Sequence, residues 1–370
     1  MQALRWDVFC HVVDNFGDIG FCWRLACGLA GQGQSVRLFV DDARALAWMA
    51  PQGCVGVQVH PLAGLGPGAA QAAYEPGDVV LAAFGCALPA TVLQALQRAG
   101  QGGAGAAPRH IPWIHLEYLS AEAYAAHSHG LDSPVLGGAA AGIHRRFYFP
   151  GFDLQTGGLL REPGLMSRRQ RFDRGAWLAA RGIGWNGETV LSLFCYEPPL
   201  LRDWLAELAG SPLLLMVTDG RATAAVRRAL AALPPEWNRE GRLRIHFLPA
   251  LTQPEFDHLL WCADGNFVRG EDSLVRAVWA GAGLVWQAYP QDQDAHRDKL
   301  EAFLDWMQAP EDLQEFSRCW NGICPAPLPP ARWDAWGEAV RAARGRLLAQ
   351  DDLVSRLMRF VSQKNVKIQG

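Results

Sequence analysis

The sequence predicts an α/β protein of two facing Rossmann-like domains, with the active site in the cleft between them. Three observations lead there. Strand and helix patterns alternate from Trp6 to Leu116 and again from Thr189 to Tyr289. A breaker-rich stretch at 150–175 separates the two runs, and the chain ends in helical patterns. Such alternation implies mostly parallel sheets covered on both faces.

Trp6–Val13 reads as a buried strand, followed by the turn Asp14–Gly20 and an apolar helix from about Phe21 to Ala30. Ser35–Val40 is the next strand, which completes a βαβ opening. Val55–Val59 and Val79–Phe84 are strand-like, Pro89–Ala99 has helical periodicity, residues 100–107 read as a Gly/Ala-rich loop, and Ile111–Leu116 is a short strand. Pro150-Gly151, Gly157-Gly158 and the basic run Arg168-Arg169-Gln170-Arg171, read as a solvated surface, mark the connection, which ends near Gly184. The second run has strands at Thr189–Tyr196, Pro212–Thr218, Leu243–Leu248, Gly265–Val268 and Leu284–Tyr289, with helices between them. The expected domains are 1–184 and 185–351, with a C-terminal helix at about 352–370 packing back on the first.

Half of the 370 residues are apolar, which is enough for two sizeable cores. A formal charge of −3 argues against nonspecific nucleic-acid binding. No uncharged apolar run approaches membrane-spanning length. Nine cysteines without a C-x-x-C pair, and no signal-peptide pattern at the start, fit reduced thiols in a cytoplasm. The 15 tryptophans fall mostly on helical or strand patterns and read as core and interface filler.

The first βα turn carries the acids Asp14 and Asp18 where dinucleotide enzymes carry G-x-G-x-x-G. Carboxylates repel phosphate, so this turn suits a general base or a holder of a cationic group. An Asx-turn and a helix N-cap explain the same residues equally well. The segment Asn266–Ser273 is the stronger phosphate candidate. A strand feeds a short turn into a helix whose N-terminus offers N–H groups and a positive dipole end; Ser273 adds a hydroxyl and Arg269 a fork of donors. Capping by Asp272 or Ser273 accounts for the acids, but not for Arg269 beside them. Tyr196, at a strand's carboxyl end, can bond a phosphate or be half-buried packing. Gln253 and Phe256 can bind and stack a nucleobase, with core packing the alternative for Phe256. Asp292-Gln293-Asp294 matches a short metal pattern but follows the last strand, away from where such patterns act. His127-Ser128-His129 lacks framing ligands and reads as a surface loop.

Several of these segments together resemble the bacterial EarP family of protein-arginine rhamnosyltransferases. They are Val12–Gly20 with Cys22–Leu25, Trp113–Ser120, Asn266–Ser273 and Gln287–Gln291; His115 stands where that family is expected to have asparagine. The resemblance implies a GT-B-like fold. It implies inverting, metal-independent transfer of L-rhamnose from dTDP-β-L-rhamnose to an arginine of translation elongation factor P, activating that factor to rescue ribosomes stalled at polyproline. No cofactor, nucleic acid or membrane is expected to take part. By motif, it implies that Asp14, Asp18 and Glu271 are needed for catalysis, with Asp18 the favoured base. It implies that Tyr196, Gln253, Phe256, Arg269, Asp272 and Ser273 contact the nucleotide sugar. Three other readings compete: a different GT-B enzyme such as an epimerase, a nicotinamide-dependent oxidoreductase, disfavoured by the missing glycine pattern, and a non-enzymatic Trp-rich adaptor.

Overall fold

The computed structural model describes residues 3–13, 16–66, 74–102, 107–138, 141–289 and 295–365. Its first strand, β1 (Arg5–Cys10), shows why a two-faced sheet forms. Trp6, Val8 and Cys10 enter one apolar cluster and Phe9 enters another, the alternation expected of a strand buried on both sides. Asp7 is the polar exception. It sits fully buried opposite Arg37, accepts from Arg37 Nε and Nη2 at 2.7 Å each, and is further satisfied by Gly77 N at 2.7 Å and the Tyr74 hydroxyl.

The first unit continues through α1 (Gly17–Gly31), β2 (Ser35–Val40), α2 (Leu46–Met49), β3 (Val57–Pro61), β4 (Val79–Ala83), α3 (Ala90–Gln101), β5 (Trp113–Leu116), α4 (Ala123–Ser128), β6 (Asp132–Pro134) and β7 (His144–Tyr148). The seven strands are ordered β3-β2-β1-β4-β5-β7-β6, parallel except for β6 against β7. Chain order reverses between β1 and β4, which makes the carboxyl ends of those two strands the unit's switch point.

The second unit comprises α5 (Leu165–Gln170), α6 (Arg174–Ala179), β8 (Thr189–Leu193), α7 (Leu201–Leu208), β9 (Leu213–Val217), α8 (Arg221–Ala231), β10 (Leu243–Phe247), α9 (Gln253–Cys262), β11 (Gly265–Arg269), α10 (Glu271–Ala280), β12 (Gly283–Gln287), α11 (Ala295–Met307), α12 (Glu311–Trp320) and α13 (Trp333–Leu348). Its sheet is parallel throughout, in the order β10-β9-β8-β11-β12, and its switch point lies between β8 and β11. Trp204, Phe267 and Trp320 pack ring to ring in its core.

Residues 1–162 with 350–370 form one unit and 163–349 the other. The break falls before the Gly184 expected from sequence, because Trp177, Leu178 and Ile183 pack with Val190 and Leu214 of the second core. The last helix, α14 (Leu353–Asn365), buries Leu353, Val354, Leu357, Met358 and Val361 in the cluster beneath α1. Its entry is pinned by Leu353 N donating to Leu159 O at 2.9 Å.

Some local expectations change. Helix α1 begins a turn earlier than Phe21, since Ile19 is buried with the apolar face and Asp18 favours the positive helix start. The strand expected at Thr189–Tyr196 ends at Leu193, although Phe194 N still donates to Phe267 O at 2.9 Å. The basic run is not simply solvated: it forms the end of α5 and its C-cap, and Arg169 Nε donates to Ala280 O at the carboxyl end of α10. His129 is not on a free surface loop but at the end of α4. Its ring lies 4.7 Å from Tyr148 and 5.7 Å from Phe360, and its Nδ1 accepts Phe149 N at 3.1 Å. Residues 103–106 of the expected Gly/Ala loop and Asp292–Asp294 lie outside the described residues.

Candidate active site

Each unit collects chemistry at the carboxyl ends of its strands, where α/β sheets bind ligands. In the second unit the centre is Arg269, the last residue of β11, only 7% exposed. Its guanidinium lies over two rings, 4.6 Å from the Phe194 centroid and 4.5 Å from that of Tyr196. Both rings follow β8, directly across the switch point. Aromatic faces this close attract the guanidinium and help to hold it in place.

The cluster is built from several elements. Phe256, on the first turns of α9, meets Phe194 edge-on at 5.4 Å, and Tyr289 meets Tyr196 edge-on at 5.5 Å. Gln253 opens α9, whose start is fixed by Thr252 Oγ1 accepting Glu255 N at 3.3 Å. The Gln287 side-chain oxygen accepts Tyr196 N at 2.8 Å, so the end of β12 holds the loop after β8. Arg221 stands 5.0 Å from the Tyr196 ring and pairs with Glu197 at 3.0 Å.

The turn from β11 into α10 is equally defined. Gly270 has φ 69°, a conformation that favours glycine, and its carbonyl accepts Trp286 Nε1 at 2.9 Å. Glu271, Asp272 and Ser273 are then the first three helical residues. None is the N-cap, so the capping explanation for Asp272 or Ser273 does not hold; Gly270 occupies that position without a side-chain cap bond. The Ser273 hydroxyl donates back to Arg269 O, and Glu271 is ion-paired with Lys299 of α11. That ammonium offsets a carboxylate which would otherwise oppose an anion at the helix start. Beneath the site, Arg276 of α10 grips Asp257 of α9 through two bonds of 2.8 and 2.6 Å, both side chains buried, and ties the two helices together. Cys195, between Phe194 and Tyr196 in the chain, is buried, and burial pushes its thiol up to about 12, against the lowering effect of Arg269.

In the first unit, Asp18 is the second residue of α1 and 3% exposed. It is not an N-cap either; Phe16 holds that place without a side-chain bond. Its Oδ2 accepts Val13 N at 2.8 Å. Asp14 lies outside the described residues. Asp41, just after β2, accepts Val12 N at 2.9 Å and pairs with His11 Nδ1 at 2.6 Å. Asp41 and Asp18 therefore hold Val12 and Val13, the two residues that precede Asp14 in the chain. Sequence reasoning passed over Asp41, His11 and Trp286, and took Gln287 only as part of a family segment without a role. For Asp41 the available signal was position alone, at the carboxyl end of a strand.

The whole-chain comparisons decide among the sequence readings. The family model described as Elongation-Factor P (EF-P) rhamnosyltransferase EarP matches residues 6–362. The chain belongs to the EarP family. A protein-arginine rhamnosyltransferase of Pseudomonas aeruginosa is 43% identical over 85% of this chain and 86% of its own length. One from Pseudomonas putida is 40% identical over 96% and 98%. A solved structure concerned with EarP-mediated arginine glycosylation of translation elongation factor EF-P superposes with a TM-score of 0.64 at 29% identity, covering 97% of this chain and 99% of that one. The fold is GT-B-like, and the chain is an EarP-family glycosyltransferase, a protein-arginine rhamnosyltransferase by family. Among the described residues no helix is long and apolar enough to cross a membrane, and no three or more His, Cys, Asp or Glu side chains gather as a metal set.

Proposed function

We propose that this enzyme moves L-rhamnose from dTDP-β-L-rhamnose to one arginine of translation elongation factor P, with inversion at the anomeric carbon and in the cytoplasm. The observation that carries the reading is the Arg269 guanidinium held over the Phe194 and Tyr196 rings beside the start of α10. Such an arrangement fits a departing nucleoside diphosphate, whose growing charge needs preset donors. Gln253 and Phe256 are assigned to the nucleobase, and Asp272 and Ser273 to the nucleotide next to the helix start. The acceptor assignment follows the relatives' activity and the acids of the first unit.

The chemistry balances without a cofactor. A guanidinium nitrogen attacks the anomeric carbon from the face opposite the diphosphate. The carbon–oxygen bond to the diphosphate breaks with its electron pair, a carbon–nitrogen bond forms, and a carboxylate takes the nitrogen's proton. Guanidinium is cationic below a pKa of roughly 12, so the site must hold a cation, turn one nitrogen and accept a proton. Asp14 and Asp18 are assigned those tasks, with Asp18 the base. Glu271, oriented by Lys299, serves the sugar side. The consequence proposed for the modified factor is its activation on polyproline-stalled ribosomes.

The test is to incubate the enzyme with dTDP-β-L-rhamnose and unmodified elongation factor P, then to record intact and fragment masses. The factor gains one deoxyhexose on an arginine, and the product linkage is α by NMR. An unchanged mass, or a sugar on another residue type, overturns the proposal.

A further inference from the structure

Phe84 adopts φ 55°, followed by Gly85 at φ 71°. A bulky residue rarely takes this conformation, and it persists only where its surroundings dictate it. Here they do. Phe84 N donates to Leu116 O at 2.8 Å, the Phe21 ring meets Phe84 edge-on at 5.2 Å, and the Tyr118 ring lies flat on it, 4.7 Å away at 19°. The result is a short aromatic ladder, Phe21–Phe84–Tyr118, at the carboxyl edge of β4 and β5. Tyr118, its outermost ring, is 38% exposed.

Two acids neighbour the ladder along the chain. Cys10, Ala83 and Leu116 share one rung of the sheet, so the residues directly after β1, Phe84 after β4 and Tyr118 after β5 leave the same edge. Asp18 lies three residues before Phe21 on α1, and therefore on the same face of that helix. Glu117 adjoins Tyr118 and pairs with His115 at 3.2 Å. A supported, partly exposed aromatic face, with one acid on the same face of α1 as Phe21 and another next to Tyr118 in the chain, fits a flat, delocalised cation.

We infer that Tyr118, backed by Phe84, is the platform on which the acceptor's guanidinium stacks before transfer. This rests on the arginine-acceptor reading above. Phe84 acts by positioning; Tyr118 is the binding residue. Stacking fixes the guanidinium plane, so that the acids need only select which nitrogen faces the sugar.

The test measures binding of elongation factor P without donor, then steady-state transfer, for Tyr118→Leu, Tyr118→Phe and Tyr118→Trp, each checked for wild-type melting. Removal of the π-face by Tyr118→Leu weakens acceptor binding and raises acceptor KM about 5- to 30-fold, with donor KM unchanged. Tyr118→Phe stays near wild type and Tyr118→Trp binds at least as tightly. The Leu effect vanishes against a factor whose acceptor arginine is replaced by methionine. Unchanged acceptor binding in Tyr118→Leu overturns the inference, as does a rise in donor KM alone, which would give the ring to the sugar. If the wild type binds the factor without modifying it, the proposed function fails while the platform stands.

Discussion

The Asp18 carboxylate accepts the Val13 N–H at 2.8 Å, so this acid anchors the backbone after β1 as well as being the assigned base. The two duties separate by substitution. Asp18→Asn keeps an oxygen for Val13 and removes the charge; Asp18→Ala removes both. Expected is a kcat loss of about 10²- to 10⁴-fold for Asp18→Asn at wild-type stability. Asp18→Ala adds a destabilisation of about 1–2 kcal/mol. Near-normal turnover by Asp18→Asn, measured with rhamnosylated factor as product, leaves Asp18 as a loop anchor only.

Arg276 and Asp257 join the helices that carry Ser273 and Gln253. Removal of one member strands a buried charge, so Arg276→Met should lower stability by roughly 3–5 kcal/mol in urea unfolding. The double variant Arg276→Met/Asp257→Leu should recover much of it. A single variant as stable as wild type would mean that the pair contributes nothing to holding α9 and α10.

Acid should weaken the first unit through His129. Burial, with Arg356 nearby, pushes its imidazole down to about 4 from an ordinary value near 6.5. The folded state then binds fewer protons than the unfolded one between those values. This contribution is complete above pH ~6.5 and is lost as pH falls toward 4. His129→Asn, which keeps an acceptor for Phe149 N, should flatten that part of the stability–pH curve. An unaltered curve would contradict the assignment.

Much of this molecule was legible in its sequence because periodicity and turn chemistry are local. Strand β1, the Gly270 turn and helix α10 all announce themselves, and the long segments around Asp18 and Arg269 carry the family. What was not legible depends on contacts distant in sequence. No local feature marks Phe84 for a positive φ; Phe21 and Tyr118 impose it from other elements. Arg169 looked like surface until the α10 carboxyl end met it. Residues 163–184 belong to the second unit because of the tertiary packing of Trp177 and Leu178, which no breaker residue reveals.

The central claim is a division of labour, with nucleotide on Arg269 and the start of α10 and acceptor chemistry on the first unit's acids. Calorimetric titration of dTDP into wild type, Arg269→Ala and Asp18→Asn tests it most directly. The account predicts that Arg269→Ala loses dTDP affinity by at least about tenfold, since bonds to charged groups contribute ~1.5–3 kcal/mol. It predicts that Asp18→Asn binds dTDP like wild type, while both variants are impaired in transfer. Intact dTDP binding by Arg269→Ala, or weakened binding by Asp18→Asn, would contradict it.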